Sequence, residues 1–301
     1  MMSGTADLAG VYAAVEESAG LLDVACDRDK VWPILAAYED VLPGAVIAFR
    51  VATNARHEGE FDCRFTVPRA IDPYAVAVEK NLTVQSGHPI ESLLAEVQKH
   101  CAVDSYGVDF GVLGGFKKIW VYFPGGRHES LAHLAEIDSM PPALAATEDF
   151  FARYHLADQV DLIGIDYASR TMNVYFAASS EVVAPETVLA MHREIGLPDP
   201  SEQMLDFCQK AFGIYTTLNW DTRNVERIAY SVKTENPLEL SARLGTKVEQ
   251  FLKNVPYGTD TPKMVYAAVT ASGEEYYKLQ SYYQWRTDSR LNLSYVGGRS
   301  A

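Results

Sequence analysis

Glu60-Phe61-Asp62-Cys63-Arg64-Phe65-Thr66-Val67 alternates without a break: Glu60, Asp62, Arg64 and Thr66 fall on one side of an extended chain, and Phe61, Cys63, Phe65 and Val67 on the other. A period of two with this contrast reads as a strand with one apolar face and one charged, polar face. The same division recurs downstream. Lys118, Trp120 and Tyr122 oppose Ile119, Val121 and Phe123; Thr171, Asn173 and Tyr175 oppose Met172, Val174 and Phe176. Arg227 opposes Ile228, and Lys278, Gln280, Tyr282 and Gln284 oppose Leu279, Tyr283 and Trp285.

Working outward, strand-like stretches come in pairs that read as five hairpins. They lie at about Val46–Ala52 and Glu60–Val67, Val103–Phe110 and Phe116–Phe123, Val160–Asp166 and Thr171–Ala177, Ala211–Asn219 and Val225–Lys233, and Met264–Thr270 and Glu275–Trp285. Helical spacing fills the intervals: Leu8–Leu22, Arg28–Val41 behind Asp27 as N-cap, Pro73–Lys80, Ile90–His100, Leu131–Ala135, Pro142–Tyr154, Pro185–Glu194, Glu202–Gln209 and Leu240–Lys253. A helix–strand–strand–helix unit thus recurs about five times, as a structural period rather than a sequence repeat. No low-complexity linker interrupts residues 1–301, which are expected to form a single domain.

The apolar strand faces need cover, and the amphipathic helices supply it; the other face must then look into water or into a polar cavity. Ten antiparallel strands can close, which removes both edges and encloses that second face. The expected fold is α+β, a ten-stranded antiparallel β-barrel with a solvent-filled lumen and helices outside. An open sheet with helices on one side satisfies the pattern equally. The residue types favour the barrel: a solvated face is rich in Lys, Glu, Ser and Thr, whereas this one sets Arg and Lys beside Trp120, Tyr122, Tyr175, Tyr215 and Tyr282, as a ligand chamber would.

Composition limits what such a chamber serves. The 301 residues carry 26 Lys+Arg against 40 Asp+Glu, a net charge of −14, which argues against a protein that coats nucleic acid. Cys26, Cys63, Cys101 and Cys208 are far apart and form no Cys-x-x-Cys pair, so reduced thiols in the cytoplasm are expected. The start of the chain has no basic stretch followed by an apolar one, and no apolar run approaches the roughly 20 residues of a membrane span. An unexported protein with neither membrane nor nucleic-acid partner is expected.

Arg50, Arg64, Lys118, Arg227 and Lys278 share the polar parity. Five cations around one cavity repel unless they meet an anion, and Asp62 alone does not balance them; a diphosphate would. Tyr215 has the same parity and a hydroxyl to donate. Gly114-Gly115-Phe116-Lys117-Lys118 lacks the spacing of a phosphate loop and reads as a hairpin turn. Gly-x-Ser-x-Gly and His-Glu-x-x-His are absent, as are the aspartate-rich segments that hold magnesium diphosphates in helical terpenoid enzymes.

With these residues in view, the chain resembles the soluble aromatic prenyltransferases of the αββα barrel type, bacterial enzymes acting on dihydroxynaphthalenes, phenazines and related polyphenols. The resemblance spans nearly the whole chain. It rests on Val11-Tyr12-Ala13-Ala14, the Asp62 strand, Asp72-Pro73-Tyr74-Ala75, Gly114–Lys118, Met140-Pro141-Pro142, Asp166-Tyr167, Asn173-Val174-Tyr175-Phe176, Leu218-Asn219-Trp220 and Glu275-Tyr276-Tyr277-Lys278-Leu279. Cys63–Thr66 and Ser281–Trp285 resemble the phenazine enzymes; Asn54–Gly59 and Arg243–Glu249 are similar to enzymes that prenylate flaviolin-type naphthalenes.

The resemblance implies a prenyl diphosphate inside the barrel, held by Lys118, Asn173, Tyr215, Arg227 and Lys278, with Asp62 as the aspartate of magnesium-using members. Arg50 and Arg64 stand where those members have small hydroxyl residues, and Ser169 where they have a phosphate-binding lysine. Arg50 and Arg64 are therefore expected to join the diphosphate site and make magnesium dispensable, so that no cofactor is required. Trp120, Asp161, Tyr175, Gly213, Gln280 and Tyr282 are expected at the prenyl and acceptor subsites. The implied reaction moves a prenyl group, geranyl by expectation, from its diphosphate to a ring carbon of a polyhydroxylated naphthalene-type acceptor. Lys118, Tyr175, Arg227 and Lys278 are the expected catalytic residues, and Asp161, Gln280 or water takes the ring proton. Dimethylallyl transfer to a phenazine-type acceptor is the alternative, and a non-catalytic carrier barrel the rival of another class. A monomer is expected.

Overall fold

The computed structural model describes residues 6–53, 60–240, 244–255 and 261–285. Ten strands follow one another as hairpins: β1 (Ile47–Ala52), β2 (Phe61–Pro68), β3 (Ser105–Gly111), β4 (Gly115–Tyr122), β5 (Val160–Asp166), β6 (Thr171–Ala177), β7 (Gly213–Asn219), β8 (Arg227–Thr234), β9 (Lys263–Val269) and β10 (Glu275–Gln284). Each pairs antiparallel with its neighbour, and β1 pairs with β10, closing the barrel. Closure excludes the open sheet. Gly115, at φ 74°, occupies the left-handed region where β4 leaves the hairpin turn, as a glycine there allows.

Around the wall run α1 (Leu8–Gly20), α2 (Arg28–Ala37), α3 (Pro73–Glu79), α4 (Ile90–His100), α5 (Leu131–Ala135), α6 (Pro142–Ala146), α7 (Glu148–Arg153), α8 (Pro185–Glu194), α9 (Glu202–Cys208) and α10 (Gly245–Asn254). Asp27 caps α2 as expected, accepting from the Asp29 N–H at 2.9 Å. The expected helix Arg28–Val41 stops early because buried Tyr38 leaves helical geometry, its hydroxyl donating to the Pro73 carbonyl at 2.9 Å. Pro142–Tyr154 is two helices. Thr147 Oγ1 donates to the Ala143 carbonyl at 2.6 Å and competes with the helical backbone there. The last expected helix begins at Gly245, residues 241–243 and the segment Asn54–Gly59 lying outside the described residues. No described helix is long and apolar enough to cross a membrane.

The strand alternation sorts side chains into two layers. Phe49, Phe61, Cys63, Phe65, Val108, Ile119, Val174 and Leu279 face outward into one continuous apolar core shared with the helices. Trp120, Leu162, Tyr175, Tyr215, Met264, Tyr266, Tyr276 and Tyr282 form a second cluster inside the barrel.

Three bulges break the alternation. Lys117 is an extra residue on β4, Asp161 on β5 and Tyr283 on β10, as the pairings on either side of each reveal. The third overturns the expected parity of the chain's last strand residues. Gln284, expected on the lumen face, donates to the Leu42 and Ala45 carbonyls at 3.0 and 2.6 Å. Trp285, expected outside, packs on Tyr282 with ring centroids 4.9 Å apart.

Candidate active site

The lumen opens at one end into a cavity of about 410 Å³. Deeper down, the rings of Trp120, Tyr175, Tyr215, Tyr266, Tyr276 and Tyr282 cluster on the lumen side of the wall. Among the described residues five cations line the cavity, Arg50, Lys117, Lys118, Arg227 and Lys278, together with Asn173, Trp120, Tyr175 and Tyr215.

These cations fall into two groups. On the β1–β3 side, Asp109 sits fully buried and takes Arg50 at 2.5 Å and Arg64 at 2.7 Å. Burial alone would raise the Asp109 carboxyl, but the two guanidiniums prevail and hold it at about 2. Asp62 is engaged too, by Lys117 at 3.0 Å and Arg50 at 3.4 Å. Arg64 sits over Trp120, its Cζ 3.5 Å from the ring centroid, and is not among the residues that line the cavity. Arg64, expected at the diphosphate, is engaged by Asp109, its direct cross-strand partner in the β2–β3 register.

Across the barrel the cations are less completely paired: Asp166, the cross-strand neighbour of Lys118, favours its charge without an ion pair among the described residues. Arg227 donates to the hydroxyls of Tyr276 and Thr217, at 2.7 and 2.8 Å, which orient the guanidinium without neutralising it. Lys118 and Lys278 form no ion pair among the described residues. Burial pulls Lys118 down to about 7, and burial together with Arg227 pulls Lys278 down to about 8. The buried Nε atoms of Arg50 and Arg227 and the Oε1 of Gln280 lack hydrogen-bond partners. Cations without ion-pair partners and the unsatisfied Nε atoms of Arg50 and Arg227 at one cavity mark a site built for an anionic ligand.

Next to the free cations the rings stack. Trp120 and Tyr175 lie 4.7 Å apart between centroids, as do Tyr175 and Tyr215, with Lys118 Nζ 4.9 Å from the Trp120 ring. A diphosphate in the mouth would leave its prenyl chain against these faces, dry and able to stabilise a cation. Gln280 and Tyr282 are one step deeper on β10 and bond to each other at 2.9 Å. Gly213 and Asp161 occupy the far ends of their strands, away from the mouth. Asp161 is 2.7 Å from His128, and burial raises its carboxyl against the opposing pull of that histidine.

The structure thus brings Arg50, Lys118, Asn173, Tyr215, Arg227 and Lys278 around one cavity with Trp120 and Tyr175, leaves Gln280, Tyr282 and Gly213 further along their strands, and puts Asp161 on the β5 bulge beside His128. Lys117, Asp109, Asp166, Thr217, Tyr266 and Tyr276 also line the cavity and were not expected there, nor was His128 beside Asp161. Lys117 belongs to the outer face by alternation and reaches the mouth only because β4 bulges at it.

Gly164 makes room for the lysine. A Cβ there would come 2.6 Å from Lys118 Cε and 3.6 Å from the Tyr175 ring. Because the nearest atom ends a flexible chain, Gly164→Ala is expected to leave the thermal midpoint within about 3 °C, the scale of a sub-kcal/mol change, while displacing the ammonium. Prenyl-transfer turnover should fall at least tenfold; an unaltered rate would show that the position of Lys118 is immaterial.

A closed ten-stranded barrel with a diphosphate-sized cationic mouth and an aromatic interior defines a barrel prenyltransferase. Residues 6–295 match the family described as aromatic prenyltransferase Orf2, and the chain belongs to it. It is 87% identical over its whole length, and that of the relative, to flaviolin linalyltransferase of Streptomyces virginiae. It is 68% identical to the furaquinocin biosynthesis prenyltransferase of Streptomyces sp. strain KO-3988, covering 97% of this chain and 95% of that one. With 5,10-dihydrophenazine-1-carboxylate 9-dimethylallyltransferase of Streptomyces anulatus the identity is 44%, over 95% and 96% of the two chains. Among solved structures, the prenyltransferase NotF in complex with brevianamide F and DMSPP superposes with a TM-score of 0.58 at 11% identity, covering 92% and 94% of the chains, a likeness of fold. The chain is an aromatic prenyltransferase.

Proposed function

We propose that the enzyme binds geranyl diphosphate in the barrel mouth and joins its terpenoid group to a ring carbon of a polyhydroxylated naphthalene of the flaviolin type. The observation that carries this reading is the trio Lys118, Arg227 and Lys278, buried beside aromatic rings and, among the described residues, ion-paired to no carboxylate, with Asp166 offsetting the charge of Lys118 only in part. The C1–O bond ionises, the electron pair leaves with the diphosphate, and the trio stabilises that charge as it forms. The allylic cation left behind shares its charge between C1 and C3. Trp120, Tyr175 and Tyr215 shelter it from water. The acceptor's ring carbon attacks, and loss of the ring proton restores aromaticity; of the expected acceptors of that proton, Asp161 is the ionisable side chain. Kinship with a linalyltransferase supports attack at C3, which yields the tertiary, linalyl attachment in place of a geranyl one.

The test is purified protein with geranyl diphosphate and flaviolin, run beside dimethylallyl diphosphate and a dihydrophenazine carboxylate, with products read by mass and NMR. A linalylated flaviolin is expected. Turnover confined to the phenazine pair, or retention of geranyl diphosphate without turnover, would overturn the assignment.

Magnesium does not fit the residues present. Asp62, the aspartate that would hold it, already has Lys117 and Arg50 on its oxygens, and a further divalent ion beside two cations meets repulsion as well as attraction. We infer catalysis without a metal. Initial rates in excess EDTA and in millimolar Mg²⁺ should agree within about twofold, well inside the tenfold that 1.4 kcal/mol represents; a wild type that is inactive in EDTA and rescued by Mg²⁺ would refute this.

On the acceptor side, Trp120→Ala and Tyr282→Ala should alter the distribution of products as well as the rate, because a lost wall gives the acceptor more than one orientation. Identical regiochemistry in both variants would put these rings outside the acceptor subsite. We take the working unit to be a single domain in a monomer, since the strands of one closed barrel surround the cavity. Its four cysteines, all free, suit a reducing cytoplasm.

A further inference from the structure

On the outside of the wall, where the end of α4 approaches the start of α5, three donor-bearing side chains converge. Cys101 Sγ, a carboxylate oxygen of Glu129 and a ring nitrogen of His133 all lie within 4.8 Å of one another. Each is carried by fixed backbone. The Cys101 N–H closes α4 on the Val97 carbonyl at 2.8 Å. Glu129 exchanges two backbone hydrogen bonds with Val160, at 2.9 and 3.1 Å. His133 is anchored by the Ser130 hydroxyl, which accepts its N–H at 3.1 Å, and its Nδ1 lies 2.8 Å from Glu129 Oε2.

We propose that Cys101, Glu129 and His133 form a binding site for a zinc-class divalent cation, separate from the lumen. Thiolate, imidazole and carboxylate are the donors zinc accepts, and a sulfur with a ring nitrogen selects against magnesium and calcium, which take oxygen. Three protein ligands leave the fourth tetrahedral corner to water. Zinc bonds of about 2.0–2.3 Å set tetrahedral donor atoms about 3.5 Å apart, so closing the present spacing takes side-chain rotations on the order of 1 Å. Glu129 and His133 are half-buried and free to make them, while Cys101 is fixed in the apolar layer beneath.

Without a cation this thiol is inert: burial and the neighbouring Glu129 push it up to about 12. A bound cation would displace its proton and tie α4 to α5 across the Val160 end of β5. None of the three residues lines the substrate cavity, so the site serves the scaffold and leaves the metal independence of the transfer reaction intact.

The probe is Co²⁺ titrated into metal-stripped, full-length protein. One equivalent should produce a near-ultraviolet thiolate-to-cobalt band, Zn²⁺ should displace it, and the thermal midpoint should rise with Zn²⁺, since a ligand of the native state stabilises it. Cys101→Ser should abolish the band, and His133→Ala should weaken zinc binding about tenfold or more, the scale on which even outer-shell partners of metal sites act. Cys26→Ser should change neither. Should the buried cysteine variant fold poorly, the half-exposed His133 variant decides alone. No band in the wild type, or zinc affinity that is unchanged in His133→Ala, would overturn the proposal.

Discussion

Replacing Arg227 with alanine should lower kcat/KM for prenyl transfer about 10²–10³-fold, the loss that follows removal of one preorganised charge-stabilising donor. Lys118→Ala and Lys278→Ala should do the same. Arg227 is the strongest case because Tyr276 and Thr217 aim it without taking its charge, so the whole guanidinium charge is available to the departing diphosphate. The control is built into the same residues. A buried cation whose desolvation outweighs its nearby carboxylates destabilises the free protein, and burial lowers the pKa of both Lys118 and Lys278. Removing either lysine should therefore leave the thermal midpoint unchanged or raised while activity collapses, a split that general misfolding cannot produce. Wild-type turnover in all three variants would sink the diphosphate assignment.

Asp109→Ala should produce the largest loss of stability, about 3–5 kcal/mol, because it strands Arg64 as a buried charge and leaves Arg50 only its longer pairing with Asp62. Urea unfolding measures it, and a change under about 1 kcal/mol, the scale of a surface ion pair, would mean that the pairing is immaterial. The acid limb supplies an independent reading. A carboxyl held at about 2 instead of its ordinary 3.8 binds fewer protons in the folded state than in the unfolded one. Its contribution is complete above about pH 4 and is lost as pH falls toward 2, so wild type and variant should converge in stability over that range.

The fold was legible because the strands alternate so cleanly: Phe61, Cys63 and Phe65 against Asp62 and Arg64 needed no partner strand to be sorted. What misled was any residue whose face depends on a neighbour. Lys117 and Trp285 change sides at bulges, and a bulge is decided by pairing across strands, which local alternation does not record. Asp109 was readable and missed. It has lumen parity, between Gly107 and Gly111, and a lone carboxylate among glycines is the signal that would have placed a counter-ion for the arginines. Tyr266 gave no contrast, since Met264 and Ala268 on its own face are apolar, and His128 sits between strands where no period applies.

The closed two-faced wall also governs how such a chain can change in length. Because successive residues alternate between the helix-packed core and the substrate chamber, deleting or inserting one residue within a strand exchanges the two sets wholesale. Phenylalanines would enter the chamber and arginines the core. Length variation is therefore tolerated in the hairpin turns and helical connections, and inside a strand only as a bulge. Point substitutions on the inward face meet no such barrier. The lineage of such an enzyme should accordingly diversify its chemistry by exchanging side chains at constant strand length, with Lys117, Asp161 and Tyr283 marking places where an extra residue was absorbed.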